Sequence, residues 1–325
     1  AIISSWGNRN LEWQKTIDQN FGIDLAFLDN RLKLTVDYFY KNTDPLLVYV
    51  QLPSSTGTTQ APMNMGKQVT KGTTMVLNGT VLRTEDISWN LNFNMRHITS
   101  EYRNIGNLLD KYNKENRSFN LTRFYDGGSP TDLWAVRSAG IDPASGREVF
   151  IKKDGTQTFK FDYDDEVVVG NTEPKYEGVI GTSFYYKGFS VSVNLRYRWG
   201  GQIFMNTLYN KVENISEWAL KNNQDKRALY DRWQKPGDVA KFKAISLTET
   251  TPISSRFVKD ENTLSGESIS IGYETQAAAL KKYGISSLTV RGYMNDIFRI
   301  STVKDERGLD YPFARSVSFS LGLTF

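Results

Sequence analysis

The chain is dominated by long runs in which apolar and polar residues alternate. The clearest run extends from Phe189 to Trp199, and its polar members are Ser190, Ser192, Asn194, Arg196 and Arg198. Successive strand side chains point to opposite faces, so this period predicts β-strands with one apolar face. Similar runs start at Phe21, Leu32 and Trp89. Soluble strands typically have about 5–6 residues, whereas tilted membrane strands need about 9–11, and the longer length fits these runs.

The arrangement of the runs is as informative as their length. We predict nine strands, near residues 16–27, 32–50, 73–83, 87–102, 176–186, 189–204, 267–278, 286–297 and 315–325. The connections alternate between short turns and the long segments 51–72, 103–175, 205–266 and 298–314. Membrane barrels have short periplasmic turns and long extracellular loops. The sequence therefore predicts an all-β, antiparallel transmembrane β-barrel in the bacterial outer membrane, with its C-terminus in the periplasm.

Nine strands do not form a complete barrel, because bacterial single-chain barrels have even strand numbers. An open sheet in lipid would leave two edges of unpaired backbone groups, at a cost on the order of tens of kcal/mol. We therefore expect residues 1–325 to be the C-terminal portion of one barrel domain. The chain starts at Ala1 with neither Met nor a signal peptide, which favours a fragment or a processed piece.

Composition excludes several classes of function. The chain has no cysteine and one histidine, which argues against thiol chemistry, zinc-finger spacing and multi-histidine sites. The net charge of +4 is small, with basic and acidic residues intermixed, so nucleic-acid binding has little support. We predict no catalytic residues, no metal site and no cofactor.

Candidate functional residues fall into two groups. Polar members of the alternating runs are expected to face the barrel lumen: Asn90, Asn92, Asn94, Arg96, Asn194, Arg196 and Arg198. In the long segment 103–175, aromatic residues stand beside charged ones, a combination that suits sugars or peptides: Arg123, Tyr125, Asp126 and Trp134. The alternative is that Tyr125 and Trp134 only pack the loop against itself or a lid.

Three other features favour structural roles. The acidic run Asp162, Asp164, Asp165 and Glu166 lacks the spacing and the glycine of an EF-hand, so we expect a solvated loop and not a calcium site. Segment 211–235 is interpreted as a short amphipathic helix on a loop. His97 continues the apolar register that starts at Trp89, which places it at the interface edge of the fourth strand, without a ligand role.

Six segments, in order along the chain, resemble the C-terminal region of SusC/RagA-type TonB-dependent transporters. They are Gly7–Trp13, Asn30–Leu47, Gly140–Gly146, Arg232–Asp238, Ser254–Tyr273 and Asn295–Arg315, the last containing Tyr311-Pro312-Phe313-Ala314. Each match is weak, but six in order are specific. Arg9, Thr74 and Gln276 depart from the family pattern at turns and strand ends, without disturbing the alternation.

The resemblance implies a plugged barrel of about 22 strands. About 13 strands, the plug and the TonB-contacting segment would then lie outside this chain. It also implies a SusD-like lipoprotein lid, energy from the TonB complex, and import of oligosaccharides or peptides. Two alternatives remain open: an outer-membrane barrel acting as an adhesin or assembly platform without transport, and a secreted soluble β-protein that binds glycans.

Overall fold

The fold is an antiparallel wall of nine strands with a separate cap of loops. The computed structural model describes residues 7–52, 54–58, 60–107, 109–246, 249–303 and 315–325. The strands are β1 Lys15–Phe27, β2 Leu32–Asp44, β3 Leu47–Gln51, β4 Gln60–Asn64, β5 Lys67–Arg83, β6 Ile87–Arg103, β7 Asp132–Ile141, β8 Glu148–Ile151, β9 Gln157–Thr158, β10 Glu166–Asn171, β11 Tyr176–Tyr186, β12 Phe189–Phe204, β13 Val258–Thr275, β14 Ser287–Ser301 and β15 Val317–Thr324.

Helical structure is confined to the connections. The α-helices are α1 Asp110–Asn116, α2 Arg227–Tyr230 and α3 Ala278–Lys281, and a π-helix spans Leu208–Glu213. Single 3₁₀ turns lie at Ser54–Thr56, Tyr163–Asp165, Ala219–Lys221 and Ser255–Phe257. None of the helices in the described ranges has the length and apolar character needed to cross a membrane.

The wall has the strand order β1-β2-β5-β6-β11-β12-β13-β14-β15. This arrangement confirms the nine predicted strands and the antiparallel β-barrel fold class, although the described residues do not close the barrel. A four-stranded sheet, β10-β7-β8-β9, and a hairpin, β3-β4, lie in the long connections. We call the edge of the wall that carries these connections the long-loop end, and the opposite edge the short-turn end.

Strand register gives the wall two chemically different faces. Paired positions run from Leu25 through Leu34, Leu77, Phe93 and Ile180 to Leu195, which crosses six strands without a polar residue. We call this side the apolar face. One step along each strand, the paired positions run from Asn78 through Asn92, Gly181 and Asn194 to Ser268 and Asn295. We call this side the polar face.

Three predicted strand bounds were wrong. The run 32–50 is interrupted at Pro45, which has no backbone N–H to continue the ladder, so β3 turns away to pair with β4. Strands β5 and β13 start earlier than predicted, at Lys67 and Val258. The early part of β13 is polar and does not alternate with apolar residues; its side chains pair with neighbouring strands instead.

The cap has an interior that the wall lacks. One apolar cluster joins both long connections and contains Ala135, Phe204, Val212, Ile215, Ala228, Phe242, Ile253 and Phe257. A second contains Leu46, Met65, Tyr102, Ile105 and Leu109. The connections 104–175 and 205–257 therefore fold together, and we call them the outer-loop unit.

The predicted helix over 211–235 was wrong. This segment holds the end of the π-helix, one 3₁₀ turn and the single-turn helix α2. It buries Val212, Ile215 and Ala228 but leaves Trp218 and Tyr230 largely exposed. Its apolar residues do not share one helical face because the segment follows the irregular surface of the cap.

The free edges of the wall give a first prediction. Strands β1 and β15 end the sheet and do not pair with each other in the described ranges. Unpaired edges are templates for association. Residues 1–325 expressed alone should therefore aggregate, as measured by size-exclusion chromatography without detergent. A monodisperse, folded protein of 37.0 kDa would contradict the barrel interpretation.

Candidate functional site

The polar face carries a series of linked ion pairs near the long-loop end, which we call the ion-pair ladder. Arg96 of β6 contacts Glu177 of β11, which also lies 3.4 Å from Arg198 of β12. Glu261 of β13 continues the ladder, 3.9 Å from Arg198 and 2.9 Å from Arg299 of β14. The ion-pair ladder links five strands near the long-loop end. Its charges compensate one another, so these groups fix the wall.

Closer to the short-turn end, the polar face is lined by neutral side-chain amides, which we call the amide belt. Asn94 Oδ1 accepts a hydrogen bond from the Val179 backbone N–H at 2.8 Å, and Asn194 donates to Ser268 at 3.0 Å. Asn90 accepts from Thr80 at 3.0 Å. Gly181 lies between Asn92 and Asn194, and a Cβ there would collide with the Asn92 amide oxygen. Glycine therefore leaves room for both side chains above the sheet.

All seven residues predicted to face the lumen lie on the polar face. Arg196 pairs with Glu267, the extra residue at a bulge in β13, and the other six take part in the ladder or the amide belt. The sequence gives their common face but not their partners, because the partners are set by register between strands that are distant in sequence.

Two of the four loop residues predicted to contact substrate have structural roles. Arg123 is 1% exposed; its Nε lies 2.6 Å from Glu166, and it donates hydrogen bonds to the Asn120 and Thr122 carbonyls at 2.9 and 2.7 Å. Such a side chain has no surface to offer a ligand, so Arg123 holds the loop together and does not contact substrate in this structure. Asp126 accepts the backbone N–H groups of Ile105 and Gly106, which fixes the turn after β6.

The other two loop residues lie together. The rings of Tyr125 and Trp134 are 4.9 Å apart, tilted by 54°. They line a cleft of about 280 Å³ with Arg117, Lys153, Tyr163 and Glu166. Ring contact fits the packing alternative, and the cleft leaves part of both rings available. A cleft of this size and composition accommodates about one ring of a ligand.

The acidic run turns out to be divided in its roles. Glu166 is buried against Arg123, which corrects the expectation that the whole run is solvated. Asp164 accepts a hydrogen bond from Arg117 at 3.0 Å, and this bond holds the pKa of Asp164 below its usual value. Asp162 caps the turn by accepting the Asp164 N–H. Within the described ranges, no group of three or more His, Asp or Glu residues could hold a metal ion.

Sequence reasoning missed a buried polar cluster around Arg256. Arg256 lies between two buried carboxylates, 3.0 Å from Glu148 of β8 and 2.7 Å from Glu213 of the π-helix. Ser254 donates to Glu148 at 2.6 Å and Thr251 to Glu213 at 2.9 Å. Burial lowers the pKa of Arg256, but the bonds and charges of Glu213 and Glu148 outweigh it and raise the pKa overall. The triad fastens the two long connections to each other.

Two of the segments that carry the family resemblance, Gly140–Gly146 and Arg232–Asp238, contact each other. The Trp233 indole donates to the Pro143 carbonyl at 2.9 Å, and the Gly237 N–H donates to the same oxygen at 2.9 Å. A Cβ on Gly146 would lie 2.5 Å from the Trp233 ring, and its φ of +70° also favours glycine. Arg256 belongs to a third such segment. The three motifs therefore build the junction within the outer-loop unit.

The outer surface of the cap exposes large apolar side chains. Trp218, Leu220, Leu229 and Tyr230 are all exposed, and they lie within one stretch of the connection 205–257. Trp218 and Leu220 form one pair and Leu229 and Tyr230 another, and charged residues lie between the two pairs along the chain. Exposed apolar residues of this kind are typical of a surface that contacts another protein.

Comparison with known proteins identifies the family. The model of the TonB dependent receptor-like, beta-barrel family matches residues 2–231. The chain belongs to this family. TonB-dependent receptor P39 of Formosa agariphila is 24% identical over 339 residues, covering 90% of this chain and 32% of that protein. TonB-dependent receptor SusC of Bacteroides thetaiotaomicron is 25% identical over 338 residues, covering 98% and 32%.

The fold agrees with the family assignment. The chain superposes on a chain of the RagAB peptide transporter with a TM-score of 0.82 and 20% identity, covering 99% of this chain and 37% of that one. The resemblance to SusC/RagA proteins predicted from the motifs is thereby confirmed. The chain spans about a third of the length of the relatives it matches.

Proposed function

We propose that this chain is the C-terminal wall and part of the outer cap of a TonB-dependent importer in the bacterial outer membrane. The observation that carries the proposal is the continuous apolar face, whose residues are exposed to the surroundings of the wall. Ile17, Phe21, Ile271 and Phe319 are each more than half exposed. Water would penalise this surface at about 25 cal/mol per Å², whereas lipid would not.

In this proposal the polar face borders the lumen, and the long-loop end is extracellular. The short-turn end, with Phe325, then lies in the periplasm. The ion-pair ladder stiffens the wall at the base of the cap. Oligosaccharides or peptides are the proposed cargo. The RagAB peptide transporter is among the similar structures, and oligosaccharides are what the resemblance to the SusC/RagA family implies. The cleft beside Tyr125 and Trp134 is the proposed first contact with that cargo.

Dependence on TonB distinguishes an importer from an adhesin. In cells that produce the full-length protein, loss of TonB should abolish uptake of labelled oligosaccharides or peptides while surface exposure of the protein is unchanged. Import against a gradient needs this energy, whereas adhesion does not. Uptake at the normal rate without TonB would contradict the proposal, and binding without any uptake would favour the adhesin.

The outer-loop unit is the proposed binding site for a SusD-like lipoprotein. Its exposed residues Trp218, Leu229 and Tyr230 lie on the connection 205–257. Shortening this connection or 104–175 in the full-length protein should reduce co-purification of the lipoprotein several-fold, with the barrel still assembled. Replacing the short connection 276–286 by a minimal turn is the matched control. Unchanged co-purification after both deletions would exclude loop docking.

A further inference from the structure

The wall contains a gap in its strand pairing at the long-loop end. Pairing between β6 and β11 stops at Arg96 and Glu177, although β6 continues to Arg103. On this side the next partner of β6 is the loop: Tyr102 exchanges two backbone hydrogen bonds of 2.8 Å with Gly127 and Gly128. Residues 97–101 therefore border an opening, which we call the rim notch.

Backbone groups of β6 point into the rim notch. In an antiparallel strand, alternate residues direct both backbone groups to the same side. Tyr102 bonds toward the gap, and the Asn94 carbonyl accepts the Tyr197 hydroxyl from that side at 3.0 Å. Ile98 and Ser100 are alternate residues of β6 in step with Asn94 and Tyr102, so their backbone groups also point toward the gap. Their N–H and C=O groups have no partner across the gap among the described residues, so the notch offers two donors and two acceptors.

The opposite rim is polar and ordered by its own bonds. Thr131 donates to Asn171 at 2.8 Å, and the Asn171 N–H donates to Gln202 at 2.9 Å. At the lower end, the His97 ring lies 5.6 Å from the Tyr176 ring, and its Nδ1 is 2.6 Å from the Lys175 carbonyl. The notch encloses about 420 Å³.

Aromatic residues on the apolar face indicate where the rim notch lies relative to the membrane surface. Tyr176 pairs with Trp199, and both rings are exposed at the long-loop end of the wall. In membrane barrels such rings form girdles at the interface with the lipid headgroups. This placement rests on the proposed function. It sets a polar notch at the level where the outer leaflet presents its headgroups.

We propose that the rim notch is a carbohydrate subsite that binds one or two hexose rings. Sugar hydroxyls both donate and accept hydrogen bonds, which matches the mixture of groups around the notch. Glu173 and Lys175 are opposite charges in the lining, so no excess of charge favours an anion. The ring comes from one of two sources, a free oligosaccharide or the sugar headgroup of an outer-leaflet glycolipid.

The experiment uses the full-length protein with its lipoprotein partner, in detergent. Maltotriose is the free probe and lipopolysaccharide the lipid probe, each titrated by isothermal calorimetry. Thr131→Val removes the hydroxyl that orders the rim through Ser129 and Asn171, and His97→Phe removes the ring nitrogens at the lower end of the notch. Thr289→Val on β14 is the hydroxyl-deletion control. Each notch variant should weaken binding by about three- to tenfold, the worth of one hydrogen bond, and the control should not.

The two arms identify the source of the ring. Notch-dependent binding of maltotriose supports the free oligosaccharide, and notch-dependent binding of lipopolysaccharide supports the glycolipid. Binding of neither probe, or equal binding by all variants, would overturn the proposal and leave water in the notch. If TonB-dependent uptake persists in that case, the failure concerns the notch alone and not the proposed importer.

Discussion

Replacing Arg256 by methionine in the full-length protein should destabilise the outer-loop unit by about 3–5 kcal/mol, the usual cost of leaving a buried charge without its partner. The change leaves two buried carboxylates, Glu148 and Glu213, without the cation that bonds both of them. Arg232 lies close enough to attract Glu213. The connection 205–257 should open locally while the wall stays folded. Hydrogen exchange of backbone amides in this connection is the measurement, because it reports local opening.

Two further variants make the result specific. Lys241 is exposed and lies 3.3 Å from Asp231, so Lys241→Met removes a cation from the same connection at a cost of about 0–1 kcal/mol. Adding Glu148→Gln and Glu213→Gln to Arg256→Met should recover part of the protection, since neither carboxylate is then left charged. The buried Arg232, which Glu213 attracts, keeps its hydrogen bonds to the Ala228 and Lys243 carbonyls. Native exchange rates in Arg256→Met would mean that the apolar cluster alone holds the two connections together.

Leu195→Arg should be the most harmful single change in the wall, with an expected cost of about 2–4 kcal/mol for a cation on the lipid face near the bilayer midplane. Leu195 lies between Phe189 and Trp199, whose rings are expected to mark the two membrane interfaces, and it pairs with Ile180 on the apolar face. Reversible unfolding of the full-length barrel in lipid vesicles gives the change in free energy of unfolding.

Asn194→Arg is the matched control on the neighbouring residue. Asn194 lies on the polar face, which already carries Arg196 and Arg198, so mild repulsion is the expected cost. A loss of stability as large as that of Leu195→Arg would mean that the two faces do not differ in their surroundings.

The wall was predictable because its information is local. Strict alternation over ten or more residues fixes both strand identity and the face of each side chain. Turns such as Asp29-Asn30 adopt positive φ angles, which Asp and Asn tolerate better than most other residues. Prediction failed where alternation stops. The first half of β13 is polar on both sides, since Asp260 and Glu261 are satisfied by Gln202 and Arg299 from neighbouring strands.

The candidate site was predictable only in part, for the same physical reason. Sequence grouped Tyr125 with Trp134, and their rings lie together. It could not separate them from Arg123, which is buried against Glu166 more than 40 residues away. Arg256, Trp233 and Gly146 were visible only as parts of family-like motifs. Their roles emerge from contacts between two distant connections. The C-terminal motif at Tyr311–Ala314 lies outside the described residues.

The central claim is that lipid covers the apolar face and water the polar face, and labelling of single cysteines tests it most directly. The chain has no native cysteine, so Leu195→Cys and Asn194→Cys in the full-length protein each report one site, provided that any cysteine outside this chain is first replaced. In intact membranes, Leu195→Cys should react only with a lipid-soluble thiol reagent, and Asn194→Cys with a water-soluble one. The reverse pattern, or water-soluble labelling at both sites, would contradict the account.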